Sequence, residues 1–201
     1  IFLNLGDVST FPFIDAPPAK SIQDGFQTLI ELGALCEKKP KSTPSKNAGK
    51  KQYRLTRIGK IMAKLPIDPK LSRILIEAGR KGCLKEAAII TTALAISDPR
   101  QRPADKSQAA DQKHAGFKDP ASDFITLLNI WNAFSQAEKK LKSRKKLVRF
   151  CQDHFLSFKR MKEWKDICFQ ITKILKDYRI ESSTPSRPPE GTRDLKSRQY
   201  E

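Results

Sequence analysis

From Leu71 onward, apolar side chains recur at helical spacing in nearly every segment, and this periodicity constrains the fold more than any other feature. Leu71, Ile74, Leu75 and Ala78 form one stripe. Leu84, Ala87, Ala88, Ile90, Ala93 and Leu94 form a second, apolar almost all round, as in a helix buried inside a bundle. Ile125, Leu128, Trp131 and Phe134 give a third, behind a cap at Ser122 or Asp123. A fourth holds Leu147, Phe150, Cys151, Phe155, Phe158 and Met161. A fifth holds Trp164, Ile167, Cys168, Ile171, Ile174 and Leu175. Residues 66–179 therefore read as an all-helical bundle, entered through Pro66 and Pro69.

Residues 20–65 follow a different plan. Ser21 is placed to cap a helix, with Asp24 at the capping-box position. Ile22, Phe26, Leu29 and Ile30 make its apolar stripe, and Gly33 ends it in the left-handed conformation. Ala34-Leu35-Cys36 starts a strand and Gln52-Tyr53-Arg54-Leu55 a second. Thr56 then caps a short helix carrying Ile58, Ile61, Met62 and Leu65. The strands flank a loop, KKPKSTPSKNAGKK, without apolar anchors. Helix, strand, basic loop, strand, helix is the order of a small winged-helix domain with the loop as its wing. The predicted fold class is mainly α: that winged helix, then the bundle.

The ends read as connections. Pro12, Pro17 and Pro18 hold residues 1–19 extended. Phe2, Leu3, Leu5, Phe11, Phe13 and Ile14 make this connector too apolar for a free linker, and it is expected to pack on a domain outside the chain. The tail, residues 180–201, includes SSTPSRPPEGTRD, which cannot bury enough apolar surface to offset its ordering entropy. It reads as a linker. With Ile1 rather than Met at its start, the chain is expected to be a piece of a longer protein.

Lys and Arg total 39 against 22 acidic residues, a formal net charge of +17. Two blocks carry the excess. Residues 36–60 hold nine basic side chains and one acidic, and residues 136–180 hold fourteen and five. Phosphate backbones are the first partner this charge suggests, because neutralising phosphates releases counterions. An anionic membrane surface and an acidic protein are weaker alternatives. No apolar run approaches the roughly 18 residues of a spanning helix, so no membrane partner is expected. Cys36, Cys83, Cys151 and Cys168 form no CxxC pair and suit a reducing, cytoplasmic setting. Cys151 and His154 stand at C-x-x-H spacing but lack two further ligands nearby, so no metal site is expected.

Between Leu94 and Trp131 the helical pattern is interrupted. An apolar helix stops at Ser97-Asp98-Pro99, a charged segment follows, and a new helix starts behind Pro120. Arg100 and Arg102 stand beside Pro99 and Pro103. A planar guanidinium can stack on a base while its N–H groups reach phosphate, and a proline ring offers a flat apolar edge. The competing reading is plain dipole complementation at a helix C-terminus. Lys38, Lys39, Lys41, Lys46, Lys50 and Lys51 suit a solvated hairpin tip better than a groove reader. Lys139, Lys140, Lys142, Arg144, Lys145 and Lys146 are read either as a solvated face or as phosphate contacts. Phe155, Phe158 and Trp164 are spaced for core packing rather than base stacking. The chain has no Walker A pattern, no GxGxxG, no GxSxG and no paired-His motif, and is expected to be non-catalytic and without a cofactor.

Several of these segments, taken in order, resemble one family. LGDVSTFPFIDAPP, TLIELGAL, LTRIGKIMAKLPIDPKLSRILIEA, SDPRQRP and SDFITLLNIWNAF are similar to the region behind the ATPase core of DEAH-box RNA helicases. FLSFKRMKEWKDI resembles the bacterial HrpA-like branch in particular. The resemblance implies that residues 1–19 leave the second RecA-like domain, 20–65 form the family's winged helix and 66–179 its ratchet bundle. Residues 180–201 would lead toward an OB-fold. It implies a parent that is an ATP-dependent RNA helicase, whose ATP and Mg sites lie in RecA-like domains this chain lacks. Its partners would be single-stranded RNA, with DNA as an alternative, and the parent's RecA-like and OB-fold domains. Pro99 and Arg102 match positions that border the RNA base stack in the family. Arg100, Asp123, Thr126, Asn129 and Arg160 complete the candidate nucleic-acid contacts. The family's Ser-Asp-His is here Ser122-Asp123-Phe124, so no role of that His carries over. The expected function is one wall of the RNA channel, coupling ATPase motion to strand translocation. Two rivals stand beside it: a domain-docking scaffold that touches no RNA, and an independent winged-helix DNA binder.

Overall fold

The computed structural model describes Gly6, Val8, residues 11–37 and residues 52–180. The lysine-rich wing 38–51, the tail 181–201, and Phe2, Leu3 and Leu5 of the connector lie outside the described residues.

Helix α1 (Ala19–Glu31) opens the winged-helix part. It starts two residues before Ser21, which therefore sits inside the first turn and caps nothing. Pro18, at φ −56° and ψ 144°, provides the entry instead. Gly33 leaves the helix at φ +69°, a conformation that suits glycine. Strands β1 (Leu35–Glu37) and β2 (Tyr53–Leu55) pair antiparallel, with Cys36 opposite Arg54. Phe26 of α1 stacks on Tyr53 of β2, ring centres 5.0 Å apart. Helix α2 (Arg57–Met62) begins at Thr56, as its sequence predicts. The Thr56 hydroxyl donates to the Gly33 carbonyl at 2.6 Å, and its oxygen accepts from the Gly59 N–H at 3.0 Å. One side chain thus caps α2 and ties it to the α1–β1 turn.

Six helices follow. Helix α3 (Pro69–Lys81) has Asp68 as its cap, accepting from the Lys70 N–H at 2.7 Å, and Gly82 at φ +76° after its last turn. Helix α4 (Leu84–Ala95) runs through the middle and packs against α3, α6 (Asp123–Leu141) and α8 (Phe158–Asp177). The buried Thr91 and Thr92 hydroxyls donate to the Ala87 and Ala88 carbonyls one turn back, at 2.7 and 2.6 Å, so α4 buries them satisfied. Trp164, Phe134, Ile130, Met161 and Ile171 close the core around them, all fully buried. Ile61, Met62 and Leu65 belong to the same apolar cluster as Leu75 and Ile76, so the two parts of the chain share one core.

Two expectations need correction. Residues 147–161 are not one helix. Helix α7 (Arg144–Asp153) ends, Phe155 turns to φ +51°, and the Ser157 side chain begins α8 by accepting from the Arg160 N–H. Apolar residues on both sides of that joint face one core, which made two stripes look continuous. The charged segment after Pro99 is not a plain loop either. It contains a 3-10 turn (Ala104–Lys106) and helix α5 (Ser107–Ala115), whose only buried residue is Ala110. A helix that buries so little leaves no periodic stripe to detect.

Candidate nucleic-acid interface

The segment after α4 is fixed by backbone bonds to the α7–α8 joint. The Ser157 N–H donates to the Pro99 carbonyl at 2.7 Å, and the Gln101 N–H donates to the Phe155 carbonyl at 2.8 Å. Arg100 and Leu156 form an antiparallel bridge between these bonds. Arg160 Nη1 donates to the Asp98 carbonyl at 2.7 Å. His114 Nε2, on α5, lies 3.1 Å from the Phe155 carbonyl, and a carbonyl can only accept, so this nitrogen carries the proton. At about 1 kcal/mol net for each such bond, this clasp holds the arginine-bearing loop in one conformation.

The candidate residues divide on burial. The Pro99 ring is fully buried and presents no face to a base, so its part is to seat the loop. Thr126 is also buried: its oxygen accepts from the Asp119 N–H at 2.9 Å and its hydroxyl donates to the Ser122 carbonyl. It shapes the start of α6 and faces no solvent. Asp119 Oδ1 accepts from both the Ala121 and Ser122 N–H groups, so Asp119 organises this helix start. Ser122 occupies the cap position with its hydroxyl unused there. Asn129 is half-buried and donates through Nδ2 to the Phe117 carbonyl at 3.0 Å. Arg160 is half-buried on the Asp98 carbonyl.

Arg100, Arg102 and Asp123 remain exposed. The Arg100 guanidinium lies on the Asp98 carboxylate, Nη2 to Oδ2 at 2.7 Å. Arg102 grips Asp111 of α5 through two parallel bonds of 2.8 Å, yet its side chain keeps 63% of its surface exposed. Asp123 is close enough to Arg100 to help hold its charge. Partial burial alone would push the Asp98 carboxyl up, but the hydrogen bonds and charge of Arg100, with His114 nearby, hold it below its ordinary value. A depressed folded-state pKa stabilises above the unfolded value and loses that contribution as pH falls through the folded value. The contribution of the Asp98 carboxylate to the clasp is therefore expected to be lost in acid, below the usual carboxylate range. Backbone amide exchange of Gln101 and Ser157 followed against pH checks this.

Asp98, Asp111 and His114 were absent from the sequence-based candidates. The one available signal was Asp111 and His114 at i, i+3, the spacing that puts both on one face if the segment is helical.

The C-x-x-H pair does not form a ligand set. Cys151 is fully buried and burial pushes its thiol up to about 11, so it keeps its proton. His154 Nδ1 lies 2.8 Å from the Phe150 carbonyl. Burial also raises the Cys168 thiol, partly offset by a hydrogen bond with Thr92. Cys83 is exposed and Cys36 half-buried. Titration of the native chain with a thiol reagent is expected to label these two in minutes and to reach Cys151 and Cys168 only on unfolding. Among the described residues, no group of His, Cys, Asp and Glu is arranged to hold a metal ion, and no helix is long and apolar enough to cross a membrane.

Residues 68–127, from the α3 cap through the arginine loop into α6, match the family described as helicase associated domain (HA2), ratchet-like. The chain is 42% identical over 178 residues to the ATP-dependent RNA helicase HrpA of Escherichia coli, covering 89% of this chain and 13% of that protein. It is 42% identical over 175 residues to the HrpA homolog of Haemophilus influenzae, with 87% and 13% coverage. The pre-mRNA-splicing factor ATP-dependent RNA helicase prp22 of Schizosaccharomyces pombe is 29% identical over 177 residues, with 88% and 13% coverage. The chain thus spans about an eighth of the length of these relatives. By this kinship residues 68–127 are a ratchet-like helicase associated domain, and the chain corresponds to a part of the DEAH-box, HrpA-like helicases.

Proposed function

We propose that this chain is the accessory region of an ATP-dependent RNA helicase, forming one wall of the path taken by single-stranded RNA. The observation that carries it is Arg102: an exposed guanidinium on a loop whose backbone is clasped at Pro99, Gln101 and Asp98. A cation presented from a fixed backbone loses little conformational entropy on meeting a phosphate. Arg100 and Asp123 border the same surface, and Arg160 holds it from below. In this reading the α4–α6 frame carries motion of the ATPase domains to the strand. Nucleotide and Mg are handled by RecA-like domains elsewhere in a cytoplasmic parent protein, and the chain alone turns over no ATP.

The carboxylate on Arg102 stands where an RNA phosphate would stand. RNA would displace Asp111, and both states are charge-paired. Asp111→Asn is therefore expected to tighten binding of a short single-stranded RNA severalfold without altering thermal stability, since exposed pairs contribute little. Fluorescence anisotropy at fixed salt reads the first and a thermal melt the second. Arg102→Ala is expected to weaken binding at least fivefold in the same assay. Equal affinity for wild type and Arg102→Ala would remove Arg102 from the site.

One observation favours a second role. Phe11, Phe13 and Ile14 are exposed, with the two rings only 4.7 Å apart. An apolar connector exposed in this way suits docking against a neighbouring domain of the parent, beside RNA binding or without it.

A further inference from the structure

The joint between α6 and α7 concentrates positive charge at a helix start that has no side-chain cap. Lys139, Lys140, Lys142, Arg144, Lys145 and Lys146 place six cations in eight residues, all exposed. Lys139 and Lys140 suit the C-terminus of α6, where the dipole favours positive charge. Arg144, Lys145 and Lys146 do not suit their place. They occupy the first turn of α7, where free N–H groups and the dipole favour anions. Ser143, at the cap position, accepts no bond there, and the turn holds no acidic residue. Among the described residues none of the six forms an ion pair. Glu138, the nearest acid on α6, is taken up by Lys162 and Lys165 of α8. A local rule broken without compensation among the described residues is where a ligand from outside is expected.

The surroundings say which ligand. Beside the joint lies an open cleft of about 1120 Å³ between α6, α7 and α8. Leu147 and Phe158 give it apolar surface, and the Arg144 guanidinium stands 5.9 Å from the Phe158 ring centre. Lys142 and Arg144 line the α7 side, while on the α8 side Lys159 and Lys162 offset Glu163 and Asp166. A polyanion with flat apolar groups would keep its charges on the first side and its rings near Phe158. Phe158, on the wall of the cleft, directly follows Ser157, whose N–H holds the Pro99 carbonyl, so the start of α8 links the two regions.

We propose that the α6–α7 joint is a second nucleic-acid contact, at which Lys142, Arg144, Lys145 and Lys146 engage the phosphodiester backbone of a single strand and Phe158 meets its bases. Only the continuity of the path rests on the function proposed above. The cations of the joint stand independently of it.

The test measures the 201-residue chain against single-stranded RNA of about 6 and about 20 nucleotides across a salt series. The variants are Arg102→Ala and the fourfold Lys142→Gln, Arg144→Gln, Lys145→Gln, Lys146→Gln. Each lost phosphate contact on a single strand is expected to reduce the slope of log affinity against log salt by about 0.7. The fourfold variant should show that flattening and about tenfold weaker binding of the longer strand, with a much smaller change for the shorter. Its melting temperature should be unchanged or higher, because like charges leave the positive end of α7. Should that variant misfold, Lys145→Glu with Lys146→Glu gives the same reading from carboxylates that the first turn favours. Loss at Arg102 alone overturns the joint and leaves the loop. Loss at the joint alone overturns the loop and leaves the joint. Capture of a poly-glutamate peptide by the joint, with RNA binding unaffected, overturns the proposal in favour of an acidic protein segment.

Discussion

Trp164→Ala is expected to lower the stability of the chain by about 3–5 kcal/mol, the usual cost of emptying a large buried aromatic site. Trp164 has no exposed surface and sits where α8 meets α4. Its indole N–H donates to the Ile89 carbonyl at 2.9 Å and to Thr92 Oγ at 3.0 Å. Its ring stands edge-on to Trp131 of α6, centres 5.1 Å apart. Three helices therefore lose contact at once, and neither α4 nor α6 can collapse into the gap without moving the other. At about 2–4 °C per kcal/mol for a chain of this size, the melting temperature should fall by roughly 10–15 °C. Trp164→Phe keeps most of the volume and loses the two hydrogen bonds, and should cost less than half as much. Thermal melts followed by circular dichroism separate the cases, and a loss below about 1 kcal/mol for the Ala variant would show that α4 and α8 do not pack as described.

Gly59→Ala is the second large effect, and its sign is decided by competing magnitudes. Alanine improves an exposed helix interior over glycine by about 1 kcal/mol. Gly59 is buried on α2, and a Cβ there would run into the carbonyl group of Ala34. That carbonyl also accepts from the Thr56 N–H at 3.0 Å, so it cannot withdraw without loosening the bond that joins the start of α2 to the start of β1. Overpacking of this kind costs about 3 kcal/mol, which outweighs the gain in propensity. The substitution should destabilise the chain by about 2 kcal/mol or more. Gly25→Ala is the matched control. It lies in the same kind of element with nothing within 4 Å of its Cβ position, and should be neutral or stabilising. Denaturant melts that rank the two variants the other way round would contradict the α2–β1 packing.

The contrast between those glycines shows where sequence reading succeeds and where it stops. Thr56, Gly33, Asp68 and Gly82 act through local rules, and the elements they bound are legible from the residues alone. Helices α3, α4, α6 and α8 are legible from their apolar spacing, but Ile74 and Leu94 of those stripes are exposed, and α4 buries Thr91 and Thr92 instead. Helix α5 escaped because SQAADQKHA buries one alanine, and a helix without an apolar face leaves no period. The break at Phe155 escaped because the residues on both sides of it face one core. The site was half legible. Arg100 and Arg102 stand out by residue type, but their carboxylate partners and the bonds to residues 155–157 are non-local. Pro99 and Thr126 look like surface residues in sequence and are buried only because α5, α6 and the α7–α8 joint converge on them. The family resemblance pointed to the ratchet-like region, and kinship bears it out over residues 68–127.

The central claim is that the clasped arginine loop lines the path of a single strand. Photo-cross-linking of a 4-thiouridine-substituted RNA to the 201-residue chain, with the modified residues mapped by mass spectrometry, tests it most directly. The account predicts adducts within residues 98–103 and at the start of α6 near Asp123, reduced by Arg102→Ala. Adducts confined to residues 38–51 would contradict it and make the chain a winged-helix binder, and a chain that captures no strand at low salt would leave the domain-docking role in its place.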